Sequence, residues 1–341
     1  MFRVKNIRGG HGISALSFFD EGQGRFHFGF WILDFGLKKL KKKRATVRWI
    51  AAVTMFVALL GCARDRGVVP NSSTREVLDD LGRTVRVPEK IERAISLAPS
   101  LTESIFAVGA GGRLVGVTTY CDHPPETASI EKIGDTQTPN IEKIVALRPQ
   151  VVFVSTASQL EAFFRTLDEQ GIAVYVTNPT DLEGVLKNLS QLGDLFGTRD
   201  IAEKLVGSLR DRIASVDRSV AGRPKVRAFV QISRSPLFTI GKTSFLTEIV
   251  ERAGGISVTS SVEKAYPEFS KETALALNPE AIILSESDDN REPNDVFENS
   301  DAVKSGRVIR INADLLSRPS PRIVDALEQI SSQLNAEKPG E

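Results

Sequence analysis

Apolar residues in this chain follow two different periods. Short, near-continuous apolar runs stand at 94–98 (AISLA), 114–120 (LVGVTTY), 151–155 (VVFVS) and 172–178 (IAVYVTN). Between them lie stretches in which apolar positions recur every three or four residues, beginning near Asn140 and Ser158. The alternation returns further along, with VRAFVQI at 226–232, AIILS at 281–285 and RVIRI at 307–311 interleaved with helical patterns from Ser244 and Ser270. A last amphipathic stretch covers 320–334. Strands that are apolar on both faces and alternate with helices predict a mostly parallel sheet covered on both sides.

The two halves also share wording. NIEKIVALRPQVVFV at 140–154 and SKETALALNPEAIIL at 270–284 hold a helix cap, a Glu, an Ala-Leu pair, a Pro and an apolar strand in one order. LTESIFAVGAGG at 101–112 is echoed by LTEIVERAGG at 246–255, which is two residues shorter. Two echoes in the same order predict two lobes of one topology, each an α/β unit with its own mostly parallel sheet. Between the lobes, Ile201, Leu205, Leu209, Ile213 and Val216 recur on one stripe, which predicts an uninterrupted connecting helix over 200–221. At 1.5 Å per residue such a helix spans roughly 30 Å. Ser100 and Glu103 read as a capping box opening a helix in the first lobe.

A chain of 341 residues accommodates two such lobes. Its charge is nearly balanced, yet residues 1–61 hold 11 of the 44 Lys and Arg and only 3 of the 43 Asp and Glu, leaving the remainder at −7. An acidic body argues against nucleic acid as partner. The basic excess is concentrated in KKLKKKR at 38–44 and is followed by WIAAVTMFVALLGC at 49–62. A positive segment, an apolar core of about a dozen residues and a small residue before a cysteine read as an export signal, too short for a membrane span. Leu59-Leu60-Gly61-Cys62 resembles the lipobox of bacterial lipoproteins, which implies acylation of Cys62. Residues 1–37 fit no export signal and are expected to reflect either a start codon placed upstream or a genuine extension. The expected organisation is extension plus signal over 1–61, lipid-anchored tether over 62–82, first lobe over 83–199, connecting helix over 200–221 and second lobe over 222–335.

Candidate chemistry is sparse. The only other cysteine is Cys121, and His123 is the only histidine after the signal, so neither a three-histidine zinc site nor a Ser-His-Asp triad can be assembled. GAGG at 109–112 lacks dinucleotide-fingerprint spacing, and Gly241-Lys242-Thr243 lacks the upstream glycine of a phosphate loop. No enzyme is expected, and no metal or cofactor.

The segments AISLAPSLTESIFAVGAG, VGVTTYCDHPPE, NIEKIVALRPQVV, PLFTIGKTSFLTEIVERAGG and SRPSPRIVDAL carry a resemblance that covers nearly all of the exported chain. It resembles the periplasmic substrate-binding proteins whose two α/β lobes are joined by one long helix, which serve ABC importers of vitamin B12, iron siderophores and haem, and it is most similar to the vitamin B12 binders. The resemblance implies a monomer with a ligand cleft between the lobes and partners in a permease dimer with its ATPase subunits. It matches Glu142 and Glu272, one on each lobe, to the glutamates that dock onto permease arginines. Each is also placed to oppose a helix dipole in a first turn. The resemblance matches Tyr120, Phe238, Tyr266, Asp314 and Arg318 to the ligand pocket, aromatic faces against a flat corrin and polar groups at its edge. Where the vitamin B12 binders carry two further tryptophans this chain has Thr136 and Ser155, which implies a wider pocket or another ligand. Tyr120 and Tyr266 keep haem or a ferric siderophore open, since a tyrosinate can be an axial iron ligand. A lipid-anchored sensory or structural protein of the same fold is the third reading.

Overall fold

The computed structural model describes residues 73–155 and 161–336; the export signal, Cys62 and the extension lie outside them. A hairpin of β1 (Thr74–Leu78), within the stretch read as tether, and β2 (Thr84–Pro88), at the start of the stretch read as first lobe, comes first and is held to the body by the Asp80 N–H donating to the Val176 carbonyl. The first lobe then runs β3 (Ala94–Ser96), α1 (Pro99–Ala107), β4 (Leu114–Val117), α2 (Ile141–Ala146), β5 (Val151–Ser155), α3 (Glu161–Glu169), β6 (Ala173–Thr177) and α4 (Leu182–Phe196). Helix α5 (Arg199–Val220) leads into β7 (Val226–Gln231), α6 (Phe245–Arg252), β8 (Gly255–Ser257), α7 (Lys271–Leu277), β9 (Ala281–Glu286), α8 (Asp301–Lys304), β10 (Val308–Asn312), α9 (Ala313–Ser317) and α10 (Ile323–Leu334). Strand β8, only three residues long, has no counterpart among the apolar runs of the sequence.

Both sheets are four-stranded and parallel, ordered β4-β3-β5-β6 and β8-β7-β9-β10. Strand by strand these are the same topology, so the sequence echo is architectural. The likeness reaches individual hydrogen bonds. Asn140 and Ser270 each accept from the backbone N–H three residues on, at 2.9 and 3.1 Å, starting α2 and α7. Arg148 and Asn278, each directly before a buried proline, are the two non-glycine residues with positive φ among the described residues (47° and 34°). The guanidinium of Arg93 donates to the carbonyls of Leu147 and Arg148, and that of Arg227 to those of Leu277 and Asn278. Each arginine thus satisfies the orphan carbonyls at a helix end.

The core explains how the lobes are joined. In β5, Val151 and Phe153 face a large apolar cluster while Val152 and Val154 face another; in β9, Ala281 and Ile283 face the same large cluster and Ile282 and Leu284 a third. The large cluster therefore runs from the inner face of one sheet, across α5, to the inner face of the other. Helix α5 is secured at both ends. Gly193 of α4 leaves no room for a side chain against Ala202, where an added Cβ would stand 2.4 Å from the Ala202 methyl, so the two helices cross closely. Further along, Arg212 reaches Asp325 and Glu328 of α10 at 2.6 Å, and Asp217 meets Arg252 of α6 at 3.0 Å. The buried stripe of α5 differs from the expected one at its start. Ala202 and Val206 are buried, while Ile201 is 48% exposed, its outer carbons lying over Gly109.

Candidate functional site

The expected ligand residues all follow the carboxyl ends of parallel strands, where open α/β sheets present their ligand sites. Tyr120 follows β4, Phe238 follows β7, Tyr266 follows β8, and Asp314 and Arg318 follow β10. The structure collects them into two groups.

The first is aromatic and belongs to the second lobe. The segment around Phe238 is zipped to the one around Tyr266 by the N–H of Thr239 donating to Pro267 O (3.1 Å), that of Gly241 to Ala265 O (2.9 Å) and that of Lys242 to Val262 O (2.7 Å). Gly241 is where the two strands of chain approach closest, since an added Cβ would lie 2.1 Å from the Lys264 carbonyl. This zipper holds Phe238 half-buried and leaves Tyr266 45% exposed.

The second group is ionic and spans the lobe boundary. Arg318, only 8% exposed, donates to Glu103 (2.9 Å) and Asp122 (2.7 Å) of the first lobe and pairs with Asp314 (2.8 Å) of its own. Glu103 also accepts from the Ser320 hydroxyl (2.6 Å) and from both Nε and Nη2 of Arg322 (2.9 and 2.5 Å). Tyr120, 62% exposed, stands two residues before Asp122 on the loop that joins this hub. Burial pushes the Glu103 carboxyl up, but the hydrogen bonds from Arg322, Ser320 and Arg318 outweigh it and hold the group below the usual carboxylate range. The Arg318 hydrogen bond does the same to Asp122.

Two expectations change here. Ser100 and Glu103 form no capping box: α1 starts on Pro99 after Ala98, without a side-chain cap, and Glu103 turns to the other lobe. Arg318 and Asp314, expected as separate polar groups at the pocket edge, pair with each other around a buried guanidinium that three carboxylates share. Sequence reasoning missed Glu103, Asp122, Ser320 and Arg322 as neighbours of the site. The signal available was the doubly proline-braced Arg-Pro-Ser-Pro-Arg at 318–322 together with the repeated Leu-Thr-Glu. Thr136 lies in a turn whose N–H groups and hydroxyl are taken up by Asp135, and Ser155 ends β5 next to the undescribed residues 156–160.

Glu142 and Glu272 belong to neither group and are exposed in the first turns of α2 and α7, one on each lobe. The Glu272 carboxyl is held below its ordinary range by its own backbone N–H and by the Ser270 hydroxyl.

Residues 95–315 match the periplasmic binding protein family. The chain belongs to that family. Binding proteins of this kind are exported and act in transport without catalysing a reaction. This binding protein is 31% identical to a vitamin B12-binding protein of Vibrio cholerae over 72% of its own length and 90% of the relative's. It is 26% identical to an uncharacterised ABC transporter substrate-binding lipoprotein, YvrC, of Bacillus subtilis, over 86% and 98%. The crystal structure of a periplasmic vitamin B12-binding protein of Vibrio cholerae superposes with a TM-score of 0.63 at 29% identity, covering 72% of this chain and 98% of the other. A periplasmic haem-binding protein of Pseudomonas aeruginosa does so with 0.65 at 25%, covering 73% and 95%. The two-lobed, helix-linked architecture is therefore that of its relatives.

Proposed function

We propose that this binding protein is the solute-binding component of an ABC importer that captures vitamin B12 or a related corrinoid and delivers it to the membrane permease. The observation that carries the reading is the meeting of the two lobes through loops past their strand ends, with Tyr120 on one side and the zipped pair of Phe238 and Tyr266 on the other. Flat rings suit a flat macrocycle, and each stacked contact adds about 0.5–1.5 kcal/mol beyond burial. Asp314 and Arg318 stand at the polar edge, where the outward faces of an already anchored guanidinium and its carboxylates meet ligand amides. Acylation at Cys62 holds the exported chain at the cell envelope. Glu142 and Glu272 present one acidic knob per lobe to a two-fold permease dimer coupled to its ATPase subunits.

Titration of the exported chain with cyanocobalamin, haem and a ferric siderophore tests this. Tight, saturable binding of cyanocobalamin is expected, and its absence overturns the reading.

A second reading, haem or ferric-siderophore capture, is favoured by the exposed tyrosines Tyr120 and Tyr266 and by the likeness to the haem-binding structure. It predicts an iron-dependent visible band that Tyr120→Phe or Tyr266→Phe removes. Binding of none of the three ligands would leave a lipid-anchored sensory or structural protein.

A further inference from the structure

The repeated Leu-Thr-Glu does more than repeat. Its first glutamate, Glu103 on α1, crosses to the segment that opens α10, accepting from Arg318, Ser320 and Arg322. Its second, Glu248 on α6, crosses the other way to the helix that occupies the same place in the first lobe: its Oε2 accepts from the backbone N–H of Leu182, the first residue of α4, at 2.9 Å. The other oxygen of Glu248 is held by Arg252 Nε at 2.9 Å, and Arg252 reaches on to Asp217 of α5. The two carboxylates thus leave equivalent helices and end on equivalent helix starts, with lobes exchanged.

We infer that Glu103 and Glu248 are a matched pair of inter-lobe latches that hold the lobes at one angle before any ligand arrives, with Glu103 in addition the positioning residue that fixes the Arg318 guanidinium at the boundary. Two fastenings at separate points of one interface oppose rotation about either alone. Glu103 is 4% exposed and its two oxygens accept four hydrogen bonds from the opposite lobe, three of them from arginines, so opening at that end breaks all four at once. At the Glu248 end, opening uncaps an orphan N–H in the first turn of α4. The inference concerns the empty protein and stands whichever ligand is bound.

The test is an inter-lobe distance distribution measured by double electron–electron resonance without ligand, on the full chain carrying Cys62→Ser, with spin labels at Glu169→Cys and Glu298→Cys. Both label sites are exposed, and Cys121 is buried. One narrow distance is expected for the parent. Glu103→Gln combined with Glu248→Gln should at least double its width or add a second population. A folded double variant with the parent's single narrow distance overturns the inference. If Glu103→Gln does not fold, Ser320→Ala with Arg322→Gln removes three of the four bonds from the other side and leaves that from Arg318, and the same two outcomes decide. Amide exchange at Leu182 should rise at least tenfold in Glu248→Gln and stay unchanged in Glu251→Gln; parent-like exchange in both removes Glu248 from the pair. Cyanocobalamin titration of the parent is read separately, so failure of the ligand assignment leaves this outcome untouched.

Discussion

Glu103 and Arg318 are separated by 215 residues in sequence and by 2.9 Å in space. Their contact joins the first helix of one lobe to the approach of the last helix of the other, and it is satisfied on every side by Ser320, Arg322, Asp122 and Asp314. A buried ion pair so completely bonded is costly to half-dismantle, about 3–5 kcal/mol when one partner of such a pair is removed.

Acid should undo this hub. Glu103 and Asp122 both titrate below their ordinary range in the folded protein. Their contribution is therefore fully present above the unfolded carboxylate values of about 4 and is lost as pH falls through the lowered folded values. Melting temperature should drop steeply with acidification below about pH 4, and Glu103→Gln should flatten that acid limb while lowering the neutral-pH plateau. An acid limb unchanged in the variant would detach Glu103 from the effect.

Gly241 sets the Tyr266 loop. Placing a methyl group 2.1 Å from the Lys264 carbonyl forces the zipper apart, at a cost of about 1–3 kcal/mol for an overpacked site. Gly241→Ala should weaken ligand binding at least tenfold, whereas Gly207→Ala, where a Cβ meets nothing within 4 Å, should not. Isothermal titration of the two variants side by side decides it.

If the aromatic group supplies the affinity, Phe238→Ala and Tyr266→Ala should each weaken corrinoid binding by about 1 kcal/mol or more, roughly fivefold or greater. Parent affinity in both would remove these rings from the site.

The exposed knobs make a different prediction. Glu142→Ala with Glu272→Ala should cut uptake at least tenfold while ligand affinity is unchanged, and the corresponding lysine pair should be worse, since like charges at an interface repel where alanine only removes attraction. Normal uptake with a lowered melting point would reduce both glutamates to helix-terminal charges.

Anchoring is testable on its own. Cys62→Ser should move the protein from the membrane fraction to the soluble exported fraction, because an acyl chain is the anchor proposed. Unchanged membrane retention would point to a second anchor.

What the sequence made legible and what it hid follow from range. The repeat around Leu147-Arg148-Pro149 and Leu277-Asn278-Pro279 could be read because cap, helix, turn and strand are set by neighbours within a dozen residues, and the parallel topology followed from the apolar runs. Ser100 and Glu103 satisfied a local capping rule, but Pro99 already supplied the helix start and the carboxylate found stronger partners more than 200 residues away. The phase of α5 was misjudged at Ile201 for a related reason. Ala202 is small enough to meet Gly193 at a close crossing, and the larger Ile201 is left over the Gly109 turn. The aromatic and acidic site positions came from resemblance, and the residues that fix them in place did not.

Helix α5, bonded to α4 at one end and to α6 and α10 along the other, bears on how cargo leaves. A frame already in its working geometry spends little ordering entropy when it takes up a ligand, so apparent affinity is close to intrinsic affinity. On the inference that the lobes are latched, thermal opening contributes little to release. The work of unloading must then be supplied from outside the chain, by whatever grips the two lobes and forces them apart.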